Sequence, residues 1–180
     1  MLLAALALTS PATAQFVFPS DLTWAVSAGR HLVNKVELNI GWTQQRPLWQ
    51  GEDWHLRLRH EFVLGRWHVP AAQDITEVGY SPVFRLENVS AEDTSVPHAF
   101  FFIEGSVGAR LLSHTRLTPN LTLSTAFQFA DMAGAGVQWE DPDSGAVQTL
   151  GLRLQHQSNA DIKKPNPGIN FVTVYYRFAF

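Results

Sequence analysis

The sequence predicts an all-β fold, an eight-stranded antiparallel transmembrane β-barrel, and three observations carry that expectation. Beyond residue 20 hydrophobicity alternates with a period of two, the period of extended chain with unlike faces. The polar face of these stretches carries Glu, Arg, Gln and Ser, which a small soluble barrel would have to point into its own core. The chain also ends on an alternating aromatic strand, with Val172, Val174, Tyr176, Phe178 and Phe180 at every second position. Composition agrees: 180 residues are 46% hydrophobic and 16% charged, against about 25% charged in an ordinary soluble domain. Six Trp and twelve Phe need an apolar surrounding that so short a chain cannot supply inside itself.

The N-terminus comes first. Leu2 to Leu8 is a short apolar run followed by Ala12-x-Ala14, a small-residue cleavage pattern, so residues 1–14 read as a signal peptide and 15–180 as the outer-membrane barrel domain. Strands follow near 22–31, 34–44, 53–64, 75–86, 99–112, 121–140, 146–156 and 169–180. In the second, Val36, Leu38, Ile40 and Trp42 alternate with Glu37, Asn39 and Gly41; in the third, Trp54, Leu56 and Leu58 alternate with His55, Arg57 and Arg59. The fourth sets Val78, Tyr80, Phe84 and Leu86 against Glu77, Gly79 and Arg85, and the fifth sets Phe101, Ile103, Val107 and Leu111 against Glu104, Ser106 and Arg110. A membrane-crossing strand takes roughly 9 to 11 residues, so eight fit with room for loops. No stretch reaches the roughly 20 apolar residues of a spanning helix. A net charge of −3 without a basic stripe argues against nucleic acid as a partner, and the chain has no Cys for a disulfide framework.

The segment between the last two strands, Gln155 to Asn170, is the richest in chemistry. With both termini periplasmic, it sits at the extracellular rim. Leu150, Leu152 and Leu154 alternate with Gly151, Arg153 and Gln155, so continuing the strand places His156 and Ser158 on the lipid side; Asn170 shares parity with Val172 and Val174. Polar groups facing hydrocarbon are costly, and three of them converging calls for a reason. A Ser hydroxyl becomes a competent nucleophile when an imidazole takes its proton and a third group holds the imidazole tautomer. Facing lipid, that pair would attack an acyl ester of a bilayer molecule. The remaining histidines, His31, His55, His60, His68, His98 and His114, show no metal-ligand spacing. Lys163 and Lys164 lie where a lipid head group would carry phosphates, and Trp24, Trp42, Trp54 and Trp67 suit interface girdles.

The run His156-x-Ser158-Asn159-Ala160, the following Pro165-Asn166-Pro167-Gly168-Ile169-Asn170 and the alternating last strand resemble the PagL family of lipid A 3-O-deacylases. The resemblance is strong over about 25 residues at the C-terminus. It implies an outer-membrane barrel that hydrolyses the ester of the 3-linked hydroxyacyl chain of lipid A in the outer leaflet, without a metal or other cofactor. It also implies Ser158 as nucleophile, His156 as general base, and Asn159 and Asn166 as oxyanion-binding positions. The family's third, acidic member falls on Asn170, whose carbonyl can accept the imidazole N–H but brings no negative charge; Asp161 in the loop is a substitute acid to weigh. A homodimer is left open. The competing reading is a catalytically silent small outer-membrane barrel with a structural or adhesive role, which has no need of His, Ser and Asn on one lipid-facing patch.

Overall fold

The computed structural model describes residues 19–89 and 99–180, so the expected signal peptide and His98 lie outside the described residues. Eight long strands form the wall: β1 Asp21–Gly29, β2 Asn34–Thr43, β3 Trp54–His68, β4 Ile75–Asn88, β5 Phe100–Leu112, β6 Phe127–Glu140, β7 Val147–Ser158 and β8 Ile169–Ala179. Each pairs antiparallel with its chain neighbours, and β8 returns to β1 with Ala179 opposite Asp21 and Phe171 opposite Gly29. Closure leaves the main wall without a free edge. The rim carrying Gly29, Ser158 and Ile169 is here called the upper rim; Asp21, Glu140 and Ala179 mark the lower one.

The expected sixth strand begins later than its sequence suggests. Residues 121–126 belong to an upper-rim loop that folds into a small hairpin pairing Arg116 with Thr122, and Ser124 turns there with φ 65°. The apolar Leu117 and Leu123 that mimic strand pattern are buried beneath that loop.

The wall is inside out. On β1, Val26 is 60% exposed while its neighbour Ala25 is 4% exposed; on β7, Leu154 is 60% exposed and Arg153 only 7%. Alternation alone produces this, because successive side chains leave opposite faces of a strand. The outward face carries apolar residues from every strand, as a barrel surrounded by lipid requires.

The inward face is ionic and its charges are paired across the lumen. Arg59 pairs with Asp21 and with Glu61 (3.0 Å), Glu61 with Arg153 (2.8 Å), and Arg153 with Glu104 (2.7 Å). Glu104 also binds Arg85 at 2.7 Å and accepts a hydrogen bond from the Tyr175 hydroxyl at 2.9 Å. Above this chain, Lys35 meets Glu37 at 3.0 Å and Glu77 meets Arg110 at 2.7 Å. Burial of so many charges is tolerable only because each has a partner. The cavity among Glu61, Arg110 and Arg153 holds about 10 Å³, roughly one water, so the lumen is a packed core. Its upper end is sealed by an apolar cluster that includes Val33, Trp67, Ile75, Leu112, Leu123 and Phe171.

Trp67 corrects one expectation. It is fully buried, donates its indole N–H to Glu77 and meets Phe171 edge-on at 4.9 Å between ring centroids. Counting from Arg59 and Glu61 puts residue 67 on the inward parity, so it belongs to the plug. Trp24 and Trp54 do face outward, Trp24 stacking on Tyr176.

Candidate active site on the outer wall

At the upper end of β7, the outward parity that carries Leu150, Leu152 and Leu154 continues through His156 to Ser158. On β8 it carries Asn170, Val172 and Val174. His156 and Asn170 are direct cross-strand partners. The imidazole Nδ1–H donates to Asn170 Oδ1 at 2.6 Å. That bond places the proton on Nδ1 and leaves Nε2 as the free acceptor, the tautomer a general base needs.

The Cε1–Nε2 edge of the ring lies against Gly168. A Cβ built on that glycine would lie 2.6 Å from the imidazole Cε1 and 3.0 Å from Nε2, and the residue has φ 60°. Glycine is therefore required twice, for the left-handed backbone and for the room it leaves the ring. Ser158 is half-buried, two residues above His156 on the same face and opposite Phe129 of β6. Its hydroxyl makes no hydrogen bond among the described residues.

The loop over this pair, residues 159–168, is braced from within and from its neighbour. Asn159 is fully buried. Its carboxamide donates to the carbonyls of Lys163 (2.8 Å) and Leu123 (3.2 Å), and its backbone N–H donates to Asn166 Oδ1 at 3.0 Å. Ser124 adds a hydrogen bond to the Pro165 carbonyl at 2.6 Å. All three N–H groups of Asn159 are thus committed to this loop and its neighbour, whereas the Asn166 carboxamide keeps its own N–H groups without a partner among the described residues. Lys163 and Lys164 are exposed at the loop's tip; Lys164 stands 4.0 Å from Asp161, with both side chains mostly solvated. Asp161 therefore faces that lysine and solvent.

His156 and Asn170 line a cleft of about 1110 Å³ on the outer wall, which extends across Leu154, Ala133, Val107 and Phe84. Small outward residues of β6, Ala133 and Ala135, make a trough between the bulkier Leu152 and Leu154 of β7 and the Val107 and Ile103 of β5. Two charged residues in the cleft had not been singled out from sequence. Arg30, in the β1–β2 turn, is exposed and unpaired among the described residues. Asp131 lies on β6, facing outward and directly opposite His156. The signal for Asp131 was available, since it interrupts an outward register of Phe127, Phe129, Ala133 and Ala135. Arg30 carries no such signal, because a turn residue has no parity. No group of three or more His, Cys, Asp or Glu side chains that could hold a metal occurs among the described residues.

A family model described as lipid A 3-O-deacylase (PagL) matches residues 34–179. The lipid A deacylase PagL of Pseudomonas aeruginosa is 28% identical over 176 residues, covering 97% of this chain and 93% of that protein. The lipid A deacylase PagL of Bordetella bronchiseptica is 38% identical over 80 residues, 44% of this chain, so the match spans less than half (42%) of that relative. A crystal structure of the outer-membrane enzyme PagL is similar with a TM-score of 0.76 and 25% identity, covering 89% of this chain and 100% of that one.

Proposed function

The chain belongs to the lipid A 3-O-deacylase (PagL) family of outer-membrane ester hydrolases, and from that premise we propose that it removes the 3-linked hydroxyacyl chain of lipid A with Ser158 as nucleophile and His156 as base. The observation that carries the reading is the His156–Asn170 hydrogen bond on the lipid-facing wall, with Ser158 on the same face. In this reading the upper rim is extracellular, and lipid A enters sideways from the outer leaflet.

The acyl chain lies along the cleft over Ala133, Leu154 and Val107, which is apolar where the chain would run. Nε2 of His156 takes the Ser158 proton as Oγ attacks the ester carbonyl. The carbonyl oxygen becomes an oxyanion, for which Asn166 offers unspent carboxamide N–H groups, while Asn159 serves by holding Asn166 and the loop in place. The imidazolium then protonates the departing sugar oxygen, leaving an acyl-serine. Water, deprotonated by the same imidazole, hydrolyses that ester and releases the free hydroxy fatty acid. Arg30, Lys163 and Lys164 sit at head-group height, where phosphates would meet them.

Mass spectrometry of lipid A from cells producing the wild type or Ser158→Ala tests the reading. The expected outcome is loss of one hydroxyacyl chain with the wild type alone. Deacylated lipid A from both would remove Ser158 as nucleophile, and intact lipid A from both would favour the silent-barrel reading.

A further inference from the structure

Asp131 is an anomaly in its own register. It faces outward from β6 between Phe129 and Ala133, on a wall otherwise built to meet hydrocarbon. It makes no hydrogen bond or ion pair among the described residues. A carboxylate so placed is destabilising, and nothing in the barrel's packing uses it. Its cross-strand partner is His156, and opposed residues on one face bring their Cβ atoms to about 4.5–5.5 Å. His156 is therefore flanked on both sides by outward polar residues: Asn170 on β8, which binds Nδ1, and Asp131 on β6.

We propose that Asp131 supplies the negative charge which stabilises the His156 imidazolium, a task that the neutral Asn170 cannot perform. The proposal rests on the Ser158–His156 reading above. Asn170 fixes the tautomer and ring orientation through a direct hydrogen bond; the Asp131 carboxylate acts across the strand gap. When Ser158 Oγ forms its bond to the acyl carbon, its proton moves to Nε2, and the ring gains a positive charge facing a carboxylate in a water-poor cleft. The same proton later leaves to the sugar oxygen, and Asp131 is unchanged throughout. The two jobs that one acidic side chain performs in a Ser-His-Asp triad are divided here between neighbouring strands. Asp131 is thus a positioning and charge-balancing residue that works through the imidazole.

The groups around His156 leave little else for this role. Its own strand offers Leu154 and Ser158, β8 offers Asn170, and the loop offers Gly168 and, further out, Lys163 and the Asp161–Lys164 pair. The β1–β2 turn contributes Arg30, which would oppose a cationic ring.

The test uses the full barrel purified in detergent with lipid A as substrate, its folding checked by heat-modifiable electrophoretic mobility. Asp131→Asn is expected to lower kcat by about 10- to 100-fold with little change in KM. Adding Asn170→Asp to Asp131→Asn should restore kcat, by returning the charge from the other side. Three results would overturn the proposal: a kcat within threefold of the wild type, a rise in KM alone, or a loss of kcat that Asn170→Asp does not rescue. Ser158→Ala separates this from the underlying reading. If it is inactive while Asp131→Asn behaves as wild type, only the role of Asp131 fails; if it retains turnover, the nucleophile assignment itself fails.

Discussion

Replacing Gly168 with alanine is a sharp probe of the site, because the new methyl group would press hardest on the base, with the Gln157 carbonyl next at 3.2 Å. The added Cβ would stand 2.6 Å from the imidazole Cε1 and 3.0 Å from Nε2, whereas carbon atoms settle at about 3.5–4.0 Å. The ring has to retreat by about 1 Å, and it is tethered at Nδ1 to Asn170. A misplacement of that size costs about 100-fold in rate. Stability pays much less: the left-handed backbone at φ 60° disfavours a side chain by about 1–2 kcal/mol, within the reach of a closed barrel. Turnover of lipid A by purified Gly168→Ala, measured beside its unfolding midpoint in urea, should show a loss of about two orders of magnitude in a barrel that still folds. Activity within threefold of the wild type would mean that Nε2 does not work from the position described, and the assignment of His156 as base would fall with it.

Other perturbations read other parts of the molecule. Asn170→Leu removes the acceptor for Nδ1–H and should cost about 10²–10⁴ in kcat, by analogy with the tautomer loss in a serine protease; a near-normal rate would show that the loop alone orients the ring. Arg30→Ala should raise KM about tenfold with kcat unchanged, since Arg30 lines the cleft without touching the reacting groups; an unchanged KM would exclude it from head-group docking. Leu152→Arg puts a charge on the outward face of β7, where the native side chain is 49% exposed, and should destabilise the barrel by about 2–4 kcal/mol in vesicles. Glu104→Gln strips the counter-charge shared by Arg85 and Arg153, and urea unfolding should report a loss of about 3–5 kcal/mol.

The architecture was legible in the sequence because its signal is collective. Eight alternating stretches, each with Arg, Glu, Gln or Ser on the face a soluble barrel would bury, point to an inside-out wall, and apart from the late start of the sixth the observed strands lie close to the expected ones. The family was legible from one short segment around His156 and Ser158. What sequence could not show depended on partners far along the chain. Trp67 was read as a girdle residue because tryptophan is common there, although Arg59 and Glu61 on its own parity already pointed inward. The commitments of Asn159 arise from contacts with Leu123, Lys163 and Asn166 that no alternation encodes. Asp131 acquires meaning only when β6 is laid beside β7, since 25 residues separate it from His156 in the chain.

The ionic packing of the lumen decides how material reaches and leaves the enzyme. With arginine and glutamate filling the bore and the Trp67–Phe171 cluster capping it, nothing passes through the middle. Lipid must arrive by sliding along the leaflet, and both products, a trimmed glycolipid and a liberated fatty acid, must drift away in the same plane. Encounter then depends on how crowded and how fluid the surrounding leaflet is, so stiffening the membrane with divalent cations should throttle turnover without altering the barrel itself.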